Sequence, residues 1–213
     1  MSKSKVVEFV GMPGSGKTFF EKKIFKHNNK KIIRNNFSHL NRLNKLRYII
    51  FFIINYPNFF FKSIIIILKK ILIKKGFKKY FYYFYNEAAY RSYFDFRKDK
   101  KIILLNSEGF VYRTSNYFDF IYNKKTENYL NYLPKIDLVI FIKSSKKTDL
   151  LRTNKRKIGF KYNKGDLKDY YKKMSFLKRI ISYLKKKKIR IIFINNSNNN
   201  NYRKNLKKII KYV

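Results

Sequence analysis

The feature that most constrains this chain is a glycine-rich stretch close to its N-terminus. Residues 11–18 read Gly-Met-Pro-Gly-Ser-Gly-Lys-Thr and fit the pattern G-x-x-x-x-G-K-[ST]. The apolar run 6–10 before them predicts a short buried strand, and residues 19–25 after them predict an amphipathic helix. A strand, a glycine-rich turn and a helix start are the context that a phosphate-binding P-loop requires.

The residue types in this stretch indicate how it would bind a nucleotide. Glycines let the backbone wrap closely around phosphates, and the helix start adds unpaired N–H groups and a positive dipole end. Lys17 would bind the β- and γ-phosphates of ATP, and the Thr18 hydroxyl would be a ligand of Mg²⁺. The predicted nucleotide-binding residues are Gly11, Pro13, Gly14, Ser15, Gly16, Lys17 and Thr18.

The charge of the chain is extreme and has two interpretations. The 213 residues include 52 Lys and Arg against 12 Asp and Glu, which gives a net charge of +40. Such a charge predicts non-specific attraction to nucleic acid or anionic membranes, weakened steeply by salt. The chain is also rich in Asn, Ile, Tyr and Phe, whose codons, like those of Lys, are A/T-rich. Codon bias is therefore the favoured explanation of the charge.

The cysteine and histidine content and the N-terminal residues limit the chemistry and the cellular compartment expected of this chain. The absence of Cys excludes disulfides, zinc–thiolate sites and cysteine nucleophiles. His27 and His39 are far apart and have no nearby ligand cluster, so a metal role is not expected for either. The chain leads from Met1 straight into the first strand with no room for a signal peptide, and we expect a cytoplasmic protein.

Residues 40–75 are unusually apolar. Pro57, between Asn55 and Asn58, divides them into two segments, each too short for the roughly 20 residues of a membrane span. Because Pro is tolerated in the first turn of a helix, we predict two packed helices joined at Pro57. Contact with a membrane surface, assisted by the lysines that follow, is the alternative.

Residues 77–97 carry aromatic side chains every three to four positions, which predicts a buried or half-buried helix. Most of these rings are expected to pack in the core, and a few could stack on a substrate. Arg91, in the same stretch, is a candidate for contacting a polar or anionic substrate group.

A second strand is predicted over 101–106, and Glu108 follows it almost directly. In P-loop enzymes the strand beside the loop ends in an acid that holds the Mg²⁺ shell or accepts a substrate proton. We therefore predict Glu108 as a catalytic and metal-associated residue, and Gly109 as the residue that allows a sharp turn after it.

The rest of the chain continues to alternate between helices and strands. Further strands are predicted at 31–34, 136–142 and 189–194, and further helices at 114–132, 146–157, 166–186 and 202–212. The tract 195–201 is a polar loop that suggests no chemistry. This order predicts a three-layer α/β/α fold with a mostly parallel sheet of about five strands and a helical insertion before the Glu108 strand.

The residues quoted so far resemble the small P-loop kinases of the nucleoside and nucleotide kinase-like group. The run 7–18 looks like the opening of these enzymes, and Ser107-Glu108-Gly109…Arg113 resembles an Asp-Glu-Gly…Arg pattern found in many of them. Residues 134–142 resemble a strand of that group, and the segment with Arg152 and Arg156 looks like its lid. The likeness spans the whole chain as one domain, with an insertion at about 40–97 and a lid at about 146–165.

The resemblance implies transfer of the ATP γ-phosphoryl group to a small acceptor. Glu108 would act as a base or magnesium acid, and Arg113 would orient the acceptor. Arg152 and Arg156 would stabilise charge on the transferring group.

One departure from the pattern supports a second hypothesis. Ser107 stands where the group usually has Asp, and a serine supplies no negative charge to the magnesium shell. An ATP-binding regulatory protein with weak or no kinase activity is therefore the alternative to a kinase. A polynucleotide 5′-hydroxyl kinase, favoured by the charge alone, is a third reading.

Overall fold

A computed structural model describes most of the chain. The described residues are 4–27, 31–34, 40–73, 78–97, 103–106, 108–155, 166–197 and 201–213. The strands are β1 (Lys5–Val10), β2 (Ile32–Arg34), β3 (Ile103–Asn106), β4 (Leu138–Lys143) and β5 (Arg190–Asn195). The helices are α1 (Lys17–His27), α2 (Arg42–Asn55), α3 (Pro57–Ile73), α4 (Lys78–Phe96), α5 (Phe110–Tyr117), α6 (Lys124–Leu130), α7 (Lys146–Asn154), α8 (Asp166–Lys186) and α9 (Tyr202–Ile210).

The described strands form one parallel sheet in the order β2-β3-β1-β4-β5. β1 is the central strand, hydrogen-bonded to β3 on one side and to β4 on the other. Because the carboxyl ends of parallel strands meet at one edge, the P-loop after β1 and Glu108 after β3 lie at the same edge.

Alternating side chains of the strands place helices on both faces of the sheet. Val7 and Phe9 pack in a buried cluster with residues of α1 and α9, whereas Val10 packs with residues of α5 and α8. The result is a helix layer on each side of the sheet, which confirms the predicted α/β fold class.

Three helices, α2 to α4, lie between β2 and β3 in the chain. α2 and α3 meet at Pro57, the first residue of α3, as the sequence predicted. In the described residues no single helix is long and apolar enough to cross a membrane. α2 and α3 pass that test only as a pair, and the pair is bent by 112°.

The prediction of one helix over 114–132 is wrong. α5 starts earlier, at Phe110, and the chain turns between α5 and α6, where Asp119 and Phe120 have φ values of 47° and 63°. This left-handed backbone cannot continue a right-handed helix. Asn123 then caps α6 through the backbone N–H of Thr126.

Candidate functional site

The lysine of the P-loop is folded over the loop that carries it. Lys17 is buried, and its Nζ donates hydrogen bonds to the carbonyl oxygens of Gly11 at 2.9 Å and Met12 at 3.1 Å. The same ammonium lies 4.6 Å from the centre of the Tyr112 ring, on α5. The first turn of α1 thus brings a positive charge to the concave side of the loop.

Two glycines of the loop are required by their backbone and by their neighbours. Gly14 has a φ of 88°, and a Cβ there would collide with the carbonyl oxygen of Asp149 on α7. Gly16 has a φ of 100°, and a Cβ there would lie 2.6 Å from Nδ2 of Asn196. L-residues with side chains rarely adopt either conformation, so both positions favour glycine.

Asn196, just after β5, hydrogen-bonds to the P-loop. Its buried side chain donates from Nδ2 to the carbonyl oxygen of Ser15 at 2.8 Å, and its backbone N–H donates to the carbonyl oxygen of Lys143 at 2.7 Å. Arg152 donates to the Asn196 carbonyl at 3.0 Å. The sequence analysis found no chemistry in the 195–201 tract, because an Asn-rich run gives no signal that one amide reaches the P-loop.

α7, which carries Arg152, is anchored beside the loop. Asp149 is fully buried and accepts hydrogen bonds from the hydroxyls of Ser144 and Tyr170, the latter at 2.6 Å. Burial raises the pKa of Asp149, and these hydrogen bonds oppose the shift. The described part of the predicted lid is therefore a packed helix that contacts Gly14 directly.

A cavity of about 830 Å³ opens in front of the P-loop. This volume is within the range of about 300–1,000 Å³ that is typical of small-molecule sites. The lining residues are Met12, Pro13, Gly14, Gly16, Lys17, Thr18, Phe19, Lys79, Tyr80, Tyr83, Glu108, Tyr112, Arg113, Asn116, Phe120, Arg152, Asp169, Tyr170 and Lys173.

The cavity wall beside the P-loop carries a second ammonium group that sequence reasoning missed. Lys173 of α8 lies 5.0 Å from the same Tyr112 ring that Lys17 contacts. Burial and, to a smaller extent, the charge of Lys17 lower the pKa of Lys173 to about 8, and Glu108 opposes the shift. Two like charges are thus held around one ring, an arrangement that an anion in the cavity would relieve.

Another region of the cavity combines rings with a buried guanidinium group. Tyr80, Tyr83 and Lys79 come from α4, and Arg113 and Asn116 from α5. The Arg113 guanidinium lies 4.6 Å from the centre of the Tyr83 ring. Its buried Nε has no hydrogen-bond partner among the described residues. A buried donor without a partner is costly, so this group fits an acceptor atom of a ligand.

Thr18 and Glu108, the predicted magnesium-associated residues, are exposed and line the same cavity. In the described part of the chain no three His, Asp or Glu side chains form a cluster that could hold a metal ion. A magnesium ion bound here would therefore take most of its ligands from water and phosphate oxygens.

The structure requires glycine at position 109 for a different reason from the predicted sharp turn. Gly109 has an ordinary backbone, with φ −72° and ψ −167°, so the turn does not need glycine. A Cβ there would instead collide with the carboxyl group of Glu8 on β1. That carboxyl accepts the Val111 N–H at 3.0 Å and so caps the N-terminus of α5.

The buried carboxyl group of Glu8 interacts electrostatically with a second buried carboxyl group, that of Glu87. Burial raises the pKa of Glu8 to about 7, and burial together with the charge of Glu8 raises that of Glu87 to about 8. Arg91 and Arg113 oppose both shifts. Asn106 at the end of β3 donates its side-chain N–H to Glu87. Since a Glu inside a strand or helix gives no sequence sign of burial, this group was not anticipated.

The remaining predicted site residues either do not line the cavity or lie outside the described residues. Gly11 and Ser15 belong to the loop but are not lining residues, and the buried hydroxyl of Ser15 has no partner among the described residues. Arg91 is buried away from the lining and donates from Nε to Asp95 at 3.2 Å. Arg156 and Ser107 lie outside the described residues.

Comparison with known proteins identifies the fold. No protein-family model and no curated protein sequence matches this chain. Thymidylate kinase from Ehrlichia chaffeensis is 15% identical over 98% of both chains, with a TM-score of 0.54. Thymidylate kinase from Candida albicans is 17% identical over 99% of this chain and 92% of that one, with a TM-score of 0.55. A deoxyadenosine kinase from M. mycoides is 15% identical over 97% of both chains, with a TM-score of 0.50.

These similarities extend over nearly the whole chain and agree with the α/β fold described above. They confirm, at the level of the fold, the resemblance that the sequence carries. The chain has the fold of the P-loop nucleoside and nucleotide kinases.

Proposed function

We propose that this protein is an ATP-dependent phosphotransferase that moves the γ-phosphoryl group to a nucleoside- or nucleotide-like acceptor. The observation that carries the proposal is that Lys17 of α1, Arg152 of α7, Lys173 of α8 and Glu108, between β3 and α5, all line one cavity. Positive groups aimed at one space stabilise the charge of a transferring phosphoryl group, which is the main requirement of this reaction.

The loop side of the cavity would bind ATP. Its glycines keep side chains out of the loop, and the positive charges of Lys17 and Lys173 would attract the phosphates. Arg152, on the anchored helix α7, would neutralise charge on the γ-phosphoryl group, with Arg156 as a second candidate from the sequence pattern. Magnesium, when bound, would shield the phosphates, held by Thr18, by Glu108 and by water.

The ring-lined region would bind the acceptor. Tyr80 and Tyr83 offer flat faces to a base or sugar, and the Arg113 Nε offers a hydrogen bond that no described residue takes. Glu108 would accept the proton of the attacking hydroxyl. The thymidylate kinase and deoxyadenosine kinase folds support an acceptor of this class. Arg91 would act only indirectly, by supporting the buried Glu8 and Glu87 beneath this region.

The test is ADP formation from Mg-ATP by the purified protein, alone and with pooled nucleosides, nucleotides, sugars and a 5′-hydroxyl oligonucleotide. We expect stimulation of ADP formation by the nucleoside or nucleotide pool. We also expect a loss of at least about 10²-fold in Lys17→Ala, because that ammonium would contact the transferring group. Lys17 is buried but belongs to none of the apolar core clusters, so circular dichroism should show an intact fold for Lys17→Ala.

Each outcome of the assay has a definite reading. Stimulated ADP formation that persists at the wild-type rate in Lys17→Ala would refute the P-loop assignment. ATP binding without stimulation by any pool would refute phosphoryl transfer to these acceptors and favour the regulatory alternative. Labelling of the oligonucleotide alone would favour a polynucleotide kinase.

A further inference from the structure

More than half of the large apolar side chains that are exposed in the described residues lie on α2 and α3, and none of these lines the cavity. Of 19 large apolar side chains that are exposed, five lie on α2 and five on α3. Codon bias would scatter such residues over the whole chain. Their concentration in two neighbouring helices therefore needs another explanation.

On α3 the exposed side chains form one stripe. Phe61, Ile65, Leu68 and Leu72 follow one another at spacings of four, three and four residues, and they are 56%, 52%, 47% and 86% exposed. This spacing places them on a single face of the helix, over a length of about 16 Å. The opposite face carries the buried Phe59 and Ile67, so α3 is apolar on both its inner and its outer side.

α2 repeats the pattern. Leu43, Leu46, Ile50 and Ile54 are all at least 53% exposed and occur at spacings of three, four and four residues. Ile49 and Phe52 on the other side are buried in the same apolar cluster as Phe59 and Ile67 of α3. Both stripes thus face away from a shared core. We call these eight residues the outer α2–α3 face.

The charges of the two helices indicate what could cover this face. Neither α2 nor α3 contains an Asp or Glu, whereas both contain Lys or Arg, and Arg42, Arg47 and Lys69 are exposed. A second copy of the chain would bring the same cations against these ones, with no acid on either helix to pair with them. An anionic lipid surface supplies the opposite charge and also accepts apolar side chains.

We propose that the outer α2–α3 face docks this protein on anionic membrane surfaces. Each helix is too short to span a bilayer, at 14 and 17 residues, and the 112° bend prevents the two from acting as one straight span. The apolar stripes would enter the headgroup boundary, and the exposed Arg and Lys side chains would contact lipid phosphates. The cavity stays open, so docking is separate from the proposed phosphotransfer.

The absence of tryptophan from the chain provides a direct test. Leu72→Trp introduces a single Trp at an 86% exposed position of the α3 stripe. With vesicles of phosphatidylcholine and phosphatidylglycerol we expect its emission to shift to the blue and to be quenched by brominated lipid. Leu151→Trp, on α7 at a 52% exposed position, is the control and should remain unshifted and unquenched. Equal quenching of both, or of neither, would overturn the proposal.

Vesicle binding at high salt distinguishes docking through the apolar side chains from non-specific attraction by the net charge. Non-specific adsorption of a +40 protein is screened at about 0.5 M NaCl, whereas apolar insertion is not. In vesicle co-sedimentation at that salt, Ile65→Asn/Leu68→Asn should bind about ten-fold or more weakly than wild type. The matched double variant Ile121→Asn/Leu151→Asn, at two other exposed apolar positions, should bind like wild type.

Two further results would contradict docking. One is that wild-type binding at about 0.5 M NaCl disappears as completely as that of the α3 variant. The other is a wild-type dimer in light scattering that becomes a monomer in Ile65→Asn/Leu68→Asn, because the face would then be covered by a second copy.

Discussion

At the scale of single residues, Lys173 links the charge of the cavity to proton binding. Its pKa is lowered to about 8 by burial and by Lys17, so at pH 8 about half of the molecules carry a neutral Lys173. Bound phosphates would favour the charged form and raise this pKa. ATP binding at pH 8 should therefore take up roughly half a proton per site.

Isothermal titration calorimetry in two buffers with different ionisation enthalpies measures this uptake. Lys173→Met should abolish it and weaken ATP binding by about ten-fold, since one cation near the phosphates is lost. Lys172→Met removes an exposed neighbouring ammonium and should leave both quantities unchanged. Equal uptake in all three proteins would assign the proton to another group.

Glu8 and Glu87 make a second residue-level prediction, on stability. Their pKa values, about 7 and about 8, stand above the ordinary value of 4.5, because burial disfavours the charged form. Between these limits the folded chain binds more protons than the unfolded chain. The free energy of unfolding should therefore fall as pH rises from about 5 to 8, by roughly 4–6 kcal/mol.

Urea unfolding at a series of pH values checks this slope. Glu87→Gln removes one titrating group and keeps an oxygen to accept the Asn106 N–H, so the decline should become shallower. Asp169→Asn alters an exposed carboxyl group and should leave the decline as it is. Identical slopes in Glu87→Gln and wild type would show that the buried pair does not control it.

At the scale of elements, the contact between the β5 loop and the P-loop makes the next prediction. Asn196→Ala removes the hydrogen bond to the Ser15 carbonyl and leaves a loosened P-loop. Net contributions of single hydrogen bonds are about 1 kcal/mol, so ATP should bind roughly five-fold more weakly.

Asn205→Ala is the matched control, since its side chain also donates to a backbone carbonyl at 2.8 Å, that of Asn195, but does not contact the P-loop. Calorimetric dissociation constants of the two variants and wild type give the comparison. An equal loss in both variants would point to a general effect on the β5 end instead.

Some helix boundaries could be predicted from the local sequence pattern, and others could not. The junction of the helix pair at Pro57 and both ends of the helix over 166–186 were predicted, because proline and apolar periodicity act locally. The break between α5 and α6 was missed. Asp119 and Phe120 adopt a left-handed backbone conformation there, and the sequence has no glycine or proline between α5 and α6 that would predict the break.

At the scale of the whole molecule, the net charge of +40 should lower stability through self-repulsion. Raising NaCl from about 0.05 to about 0.5 M should therefore increase Tm by roughly 2–5 °C, because salt screens exposed charges. Differential scanning fluorimetry measures the shift. NaCl is preferable to phosphate or sulfate, since these anions could bind the P-loop.

Lys17→Ala should show the same increase in Tm, because the effect belongs to the whole charge distribution. A constant or falling Tm in NaCl would mean that the lysines lie too far apart to repel one another measurably.

The sequence by itself determined the P-loop motif and the alternation of strands and helices, apart from the break between α5 and α6. It thus determined a parallel sheet with Gly11–Thr18 and Glu108 at the carboxyl ends of its strands. These features follow from short-range patterns: glycine spacing, apolar runs and helical periodicity. Only the tertiary structure decided which distant side chains complete the site. The amide of Asn196 reaches Ser15 across 181 positions, and Glu8 caps α5 across 103. Parallel crossovers bring such residues together, and no local pattern encodes which of many Asn, Lys or Glu side chains will meet there.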